Sequence, residues 1–214
     1  MAQPIKNNMI KRLIFDIDGT LIRNVNFKEA ITSTLKDFEL YSLENVQNFL
    51  LAISSYEANY KSYRKEDYLS FFGEYLHAKL DDNFLKCFFR YLKEVVPENS
   101  KDIKDTVAYL SQKYELVLLS NYFEESQRNR LETMGINTYF TEYYGEKIIK
   151  PYKEAYLSAC GTCKPSECVM IGDNIELDIK VPKELGLYTI LISNEPNKIA
   201  DKTITNIKEL KNIL

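Results

Sequence analysis

The chain has 214 residues, 45% of them hydrophobic and 28% charged, with a net charge of −3. That is room for one large α/β domain or a domain carrying a modest insertion, in the composition range of globular proteins. Its lysines and arginines are scattered rather than gathered into a stripe, which argues against a nucleic-acid polymer or a membrane surface as partner. The opening M-A-Q-P-I-K-N-N-M-I lacks the apolar run of a signal peptide, and no segment has the length of a membrane-spanning helix, so a cytoplasmic location is expected.

Residues 12–20 read R-L-I-F-D-I-D-G-T, an apolar strand over 12–16 that runs into two carboxylates, Asp16 and Asp18. Residues i and i+2 of a strand point to one side, so both acids can meet a single ligand beyond the strand end. That is where parallel α/β sheets bind their ligands. Two acids this close repel unless a cation or a shared proton compensates, and a hard divalent ion such as Mg²⁺ suits oxygen ligands. Asp-Gly is also a common turn dipeptide, so the partners of the pair decide its meaning.

From residue 27 to 96 the chain is rich in Tyr, Phe, Leu and Lys and holds one glycine, Gly73. Apolar residues recur at helical spacing, as in Ile31, Leu35, Phe38 and in Leu69, Phe72, Leu76. This predicts about four helices in a small bundle, ended near Pro97. Its aromatics, including Tyr56, Tyr60, Tyr63, Tyr68, Phe71, Phe72 and Tyr75, are expected chiefly as bundle core, although rings at a site can also stack on a base or a sugar.

An alternating pattern follows: helix 101–112, strand 116–120, helix 124–134 stopped by Gly135, a helix opened by Pro151, strand 168–172, helix 176–185, a last strand 188–192 and a short helix near 206–213. Strands separated by helices predict an α/β fold with a doubly wound parallel sheet. The expected division is a core of residues 1–22 and 97–214 with a helical cap of residues 23–96 inserted after the first strand.

Several strand ends carry polar groups. Strand 116–120 ends in Ser120-Asn121, suited to phosphate oxygens or to capping a helix. Lys150 stands just before Pro151 and offers a point charge for phosphate. Strand 168–172 ends in Gly172-Asp173-Asn174, with Asp178 five residues after Asp173. Asp173 is the candidate for a further metal ligand. Asp178 is placed to hold Lys150 or metal-bound water, or to sit as a first-turn helix acid. The C-G-T-C at Cys160 to Cys163 lacks the second ligand pair of a zinc site and lies at a helix end rather than at its start, so the four cysteines are read as buried or incidental thiols.

Acids, a hydroxyl, a lysine and a second acid pair thus follow successive elements of one sheet. In this arrangement the sequence resembles the haloacid dehalogenase superfamily of phosphohydrolases. D-I-D-G-T at 16–20, L-V-L-L-S-N ending at Asn121, I-I-K-P at 148–151 and I-G-D-N-I-E-L-D at 171–178 are similar to its four motifs, in order. The helical insert resembles the cap of the family's first subclass. The resemblance implies that Asp16 attacks phosphorus to form an aspartyl-phosphate and that Asp18 protonates the leaving alkoxide and later activates water. It implies Mg²⁺ held by the Asp16 and Asp173 carboxylates and the Asp18 carbonyl. Phosphoryl oxygens would be held by Ser120, the Asn121 amide and Lys150, with Thr20 and Asp178 in support. True dehalogenases of the superfamily lack an acid at the position of Asp18, so its presence implies phosphate-ester chemistry.

The expected activity is Mg²⁺-dependent hydrolysis of a small-molecule phosphate ester, such as a nucleoside monophosphate or a sugar or organic-acid phosphate, by a monomer or weak dimer. A phosphomutase of the same superfamily and a non-catalytic binding or regulatory protein are the alternatives. Arg23 and Asn24 fall where the cap hinge should be, and Arg64 and His77 are further cap positions considered for substrate contact, with surface roles favoured for the last two.

Overall fold

The computed structural model describes residues 10–23, 26–96 and 100–214. Strand β1 (Arg12–Phe15) is central in a six-stranded sheet with β2 (Glu115–Leu119), β3 (Phe140–Tyr144), β4 (Cys168–Gly172), β5 (Tyr188–Ile192) and β6 (Lys202–Ile204). The order is β3-β2-β1-β4-β5-β6 and every pairing is parallel. Phe15 lies opposite Leu118 on one side and Ile171 on the other, so β1, β2 and β4 end at one level. The chain order reverses about β1, and polar groups that follow these three strands converge on one crevice.

The central strands read as continuous apolar runs because both faces are covered. Leu13, Phe15, Leu116, Leu118, Val169 and Ile171 enter the core on one face, with α5 (Lys101–Leu110) and α6 (Glu124–Thr133) supplying Val107, Leu110 and Leu131. The alternate residues Ile14, Val117, Leu119 and Met170 pack on the other face against Ala155, Tyr156 and Ala159 of α7 (Lys153–Cys160).

Between β1 and α5 lie α1 (Lys28–Asp37), α2 (Leu43–Asn59), α3 (Lys65–Leu76) and α4 (Asp82–Leu92). They enclose a separate aromatic core in which Phe49 packs against Phe72, Phe84 and Phe88. Tyr56, Tyr68 and Phe72 are fully buried there, as expected of bundle core. Phe123 and Ile149 of the α/β part join the same cluster, so the bundle docks directly over the sheet's ligand-binding edge.

Four differences from the sequence expectations have physical reasons. Strands β3 and β6 were not anticipated: both are edge strands, half exposed, and F-T-E-Y-Y and K-T-I lack the apolar continuity of the interior. Pro151 does not open α7. It stands in a turn closed by the Tyr152 N–H donating to the Ile149 carbonyl, and the helix begins at Lys153. The helix expected over 176–185 is instead a wide-wound segment, Ile175–Lys180, followed by α8 (Val181–Glu184), because Pro182 has no N–H for the preceding turn. Ser120 and Asn121 are not helix caps: α6 starts at Glu124, whose N–H donates to Glu146. The chain closes with α9 (Leu210–Ile213). Among the described residues no helix is long and apolar enough to cross a membrane.

Candidate active site

Asp16 follows β1 directly, with its N–H donated to the Ile171 carbonyl of β4. The buried Lys150 ammonium donates to Asp16 Oδ1 at 2.8 Å and to Asp178 Oδ1 at 2.6 Å. Asp178 Oδ2 accepts from the Asn174 N–H at 3.0 Å, so both of its oxygens are engaged. Asp16, Asp173 and Asp178 bring carboxylate oxygens within 4.8 Å of one another. Three carboxylates against one lysine leave excess negative charge, with Asp16 and Asp178 buried and Asp173 exposed at the rim. An all-oxygen set of this kind fits a hard divalent cation such as Mg²⁺.

Titration behaviour reflects the same imbalance. Burial, opposed by Lys150 and reinforced by Asp178, pushes the Asp16 carboxyl up to about 7. Burial and the Asp178 charge also raise Asp173. Burial alone would lower Lys150, but the Asp16 and Asp178 carboxylates outweigh it and hold the ammonium above its ordinary value.

Two glycines make room for this cluster. Gly19 has φ +81°, and a Cβ there would run into the Asp173 carboxylate. Gly172 faces Asp178 equally closely.

Behind β2, Ser120 is buried and its Oγ accepts from Gln127 Nε2 at 3.1 Å. The Asn121 side chain braces the lysine loop: its Oδ1 accepts from the Lys150 N–H at 2.7 Å and its Nδ2 donates to the Lys150 carbonyl at 3.0 Å. That amide also donates to Glu57 of α2 at 2.8 Å, a link from the helical bundle to the sheet. The Thr20 hydroxyl is buried and has no hydrogen-bond partner among the described residues.

Asp18 does not join the carboxylate cluster. Both of its oxygens accept from Arg130 of α6, at 2.6 and 2.9 Å. Arg130 is itself buried, donates to Gln127 at 3.1 Å and lies 5.8 Å from the Phe27 ring. Asp18, Arg130, Gln127 and Ser120 therefore form one chain of contacts.

Arg130, Gln127 and Glu57 escape a motif-by-motif reading. For the first two a signal exists: positions 127, 130 and 131 share the buried face of α6, where a glutamine and an arginine stand out. Glu57 carries no local signal, because only the docking of α2 brings it to Asn121.

Arg23 donates to the Thr205 carbonyl. Arg64 is exposed beside Asp67, and His77 is exposed at the end of α3. Asn24 lies outside the described residues. All four cysteines are free thiols, with Cys160 and Cys168 buried.

The model of the haloacid dehalogenase-like hydrolase family matches residues 10–186. The chain belongs to that family and is an enzyme of its hydrolase type. It is similar to a glyceraldehyde 3-phosphate phosphatase of Methanocaldococcus jannaschii, 25% identical over 96% of this chain and 97% of that one. Its fold is shared with YfnB of Bacillus subtilis, solved bound to magnesium, with a TM-score of 0.64 and 22% identity over 95% and 98% of the two chains. It is also shared with L-2-haloacid dehalogenase of Xanthobacter autotrophicus, with a TM-score of 0.65 and 14% identity over 95% and 98%. A fold shared with a dehalogenase does not by itself fix the reaction.

Proposed function

We propose that the protein is a Mg²⁺-dependent phosphatase of small phosphorylated metabolites, working in the cytoplasm through an aspartyl-phosphate on Asp16. The observation that carries this reading is the buried Lys150 bridging Asp16 and Asp178, with Asp173 alongside and Asp18 two residues on. The phosphatase named in Methanocaldococcus jannaschii, matched nearly end to end, supports a small phosphate ester as substrate. The α1–α4 bundle, expected as residues 23–96, acts as a cap over the core formed by the rest of the chain.

In this mechanism Asp16 Oδ attacks phosphorus in line with the ester oxygen, and the P–O bond to the alcohol breaks. Lys150, Ser120 and the Asn121 amide neutralise and orient the phosphoryl oxygens. Asp18 gives its proton to the departing alkoxide, then takes one from the water that hydrolyses the acyl phosphate. To carry a proton, Asp18 must free one oxygen from Arg130. Asp16, Asp173 and the Asp18 carbonyl would hold Mg²⁺, with Asp178 and Thr20 in support. When bound, the ion offsets the negative charge that spreads over the transferring group.

The test is phosphate release from a broad panel of phosphomonoesters with Mg²⁺, with Asp16→Asn as the blank. Release that requires the metal and disappears in the variant is expected. Release that persists in Asp16→Asn, or none from any ester, sinks the reading. Turnover seen only with a bisphosphate activator would indicate a mutase instead.

A further inference from the structure

A cavity of about 120 Å³ lies between the bundle and the sheet, and Asp18 and Arg130 form part of its wall. Tyr56, Tyr63, Tyr68 and Tyr122 supply much of the rest. It opens from the group that would protonate the leaving alcohol, so it is where that alcohol sits. Drug-sized ligands occupy pockets of roughly 300–1,000 Å³, whereas a cavity of about 150 Å³ holds one benzene ring. The space suits a leaving group of three or four carbons.

Its charges are unequal. Among the described residues lining the cavity the ionisable acids and bases besides tyrosine are Asp18, Glu57 and Arg130. Arg130 is held by two hydrogen bonds to Asp18 and one to Gln127, and it keeps one Asp18 oxygen and Gln127 when the other Asp18 oxygen is freed for proton transfer. The Glu57 carboxylate accepts from the Tyr63 hydroxyl at 2.8 Å and from Asn121 Nδ2 at 2.8 Å, and no lysine or arginine forms a salt bridge with it among the described residues. Each of its oxygens keeps a lone pair for a hydroxyl donor. Tyr68 and Tyr122, whose hydroxyls bond each other at 3.0 Å, add a polar edge to an otherwise aromatic wall.

We infer that Glu57 is a specificity-determining residue that selects phosphate esters of small, uncharged, hydroxylated alcohols and rejects leaving groups that carry a carboxylate or a second phosphate. An uncharged polyol donates hydroxyls to Glu57, while an anion meets an unneutralised carboxylate in a sheltered pocket. The inference rests on the phosphatase reading and deepens it.

The test compares two esters of matched size, glycerol 3-phosphate and 3-phosphoglycerate, on the unmodified enzyme and on Glu57→Gln. The amide keeps the size of the side chain; its oxygen can accept from Asn121 and its NH2 can donate to the Tyr63 hydroxyl, so both contacts can persist while the charge is removed. The unmodified enzyme should favour the glycerol ester in kcat/KM by roughly tenfold or more. In Glu57→Gln that ratio should fall toward one through faster turnover of the anionic ester. Equal kcat/KM in the unmodified enzyme, or an unchanged ratio in the variant, overturns the inference. Faster turnover of adenosine monophosphate than of glycerol 3-phosphate overturns it as well. If neither matched ester releases phosphate while other esters do, the inference fails and the phosphatase reading stands. If no ester releases phosphate, the phosphatase reading fails, and the charge preference is read by NMR titration of glycerol and glycerate onto the unmodified protein. Tighter binding of glycerol supports it, and equal or tighter binding of glycerate overturns it.

Discussion

Lys150 bridges two buried carboxylates, Asp16 and Asp178. Removing one partner of a buried ion pair typically costs about 3–5 kcal/mol, because the other charge is left uncompensated. Lys150→Ala is expected to lower stability by that order in chemical denaturation and to abolish phosphate release. The raised Asp16 carboxyl carries a pH signature. Its folded value of about 7 lies above the ordinary carboxylate range. Its contribution to stability is therefore complete below about pH 4 and is lost as pH rises through about 7. Mg²⁺ requires the ionised form, so protons and metal compete at Asp16. The rise in Tm on adding Mg²⁺ should therefore be small at pH 5.5 and larger at pH 8, read by calorimetry; a pH-independent rise would contradict Asp16 as a ligand.

Arg130 also acts at the scale of the residue. It grips both Asp18 oxygens from a buried position on α6, so it sets where the acid points. Arg130→Met should slow turnover of an alkyl phosphate by about 10²–10⁴, the usual worth of positioned acid–base catalysis. A nitrophenyl phosphate, whose leaving group needs no proton, should be affected far less. An equal loss on both substrates would assign Arg130 a purely structural role.

At the scale of elements, the turn after β1 depends on Gly19. Gly19→Ala would strain a left-handed backbone and push the new methyl into Asp173. The expected result is weaker Mg²⁺ binding in isothermal titration with the sheet intact by circular dichroism. The interior strands β1, β2 and β4 were legible because burial on both faces demands unbroken apolar runs. Edge strands β3 and β6 face the opposite requirement, and their mixed residues pass for loop. On α6 the helix itself was legible, but the use of Gln127 and Arg130 was not, since a polar residue on a helix reads as solvated until something packs over it.

Across the whole molecule, the bundle has its own aromatic core and touches the sheet through Phe123, Ile149 and the Glu57–Asn121 bond. Phe49→Ala removes a fully buried ring from the bundle core, and truncations of this kind cost about 3–5 kcal/mol. Denaturation should show that loss, and a raised KM should accompany it if the bundle closes over substrate. The order of the chemistry is readable along the chain alone: Asp16 and Asp18 after one strand, Ser120 after the next, Lys150 in a loop, and Asp173 with Asp178 after another. Spacing of two along a strand and an apolar run before a polar end are local properties, so they survive in one dimension. It takes the packing of helices on the sheet to turn Asp18 to Arg130, to set Asn121 bracing the lysine loop, and to bring Glu57 to the cavity. Those pairings join residues 29 to 112 positions apart, and distance in space between such residues is set by how helices dock, which no local pattern encodes.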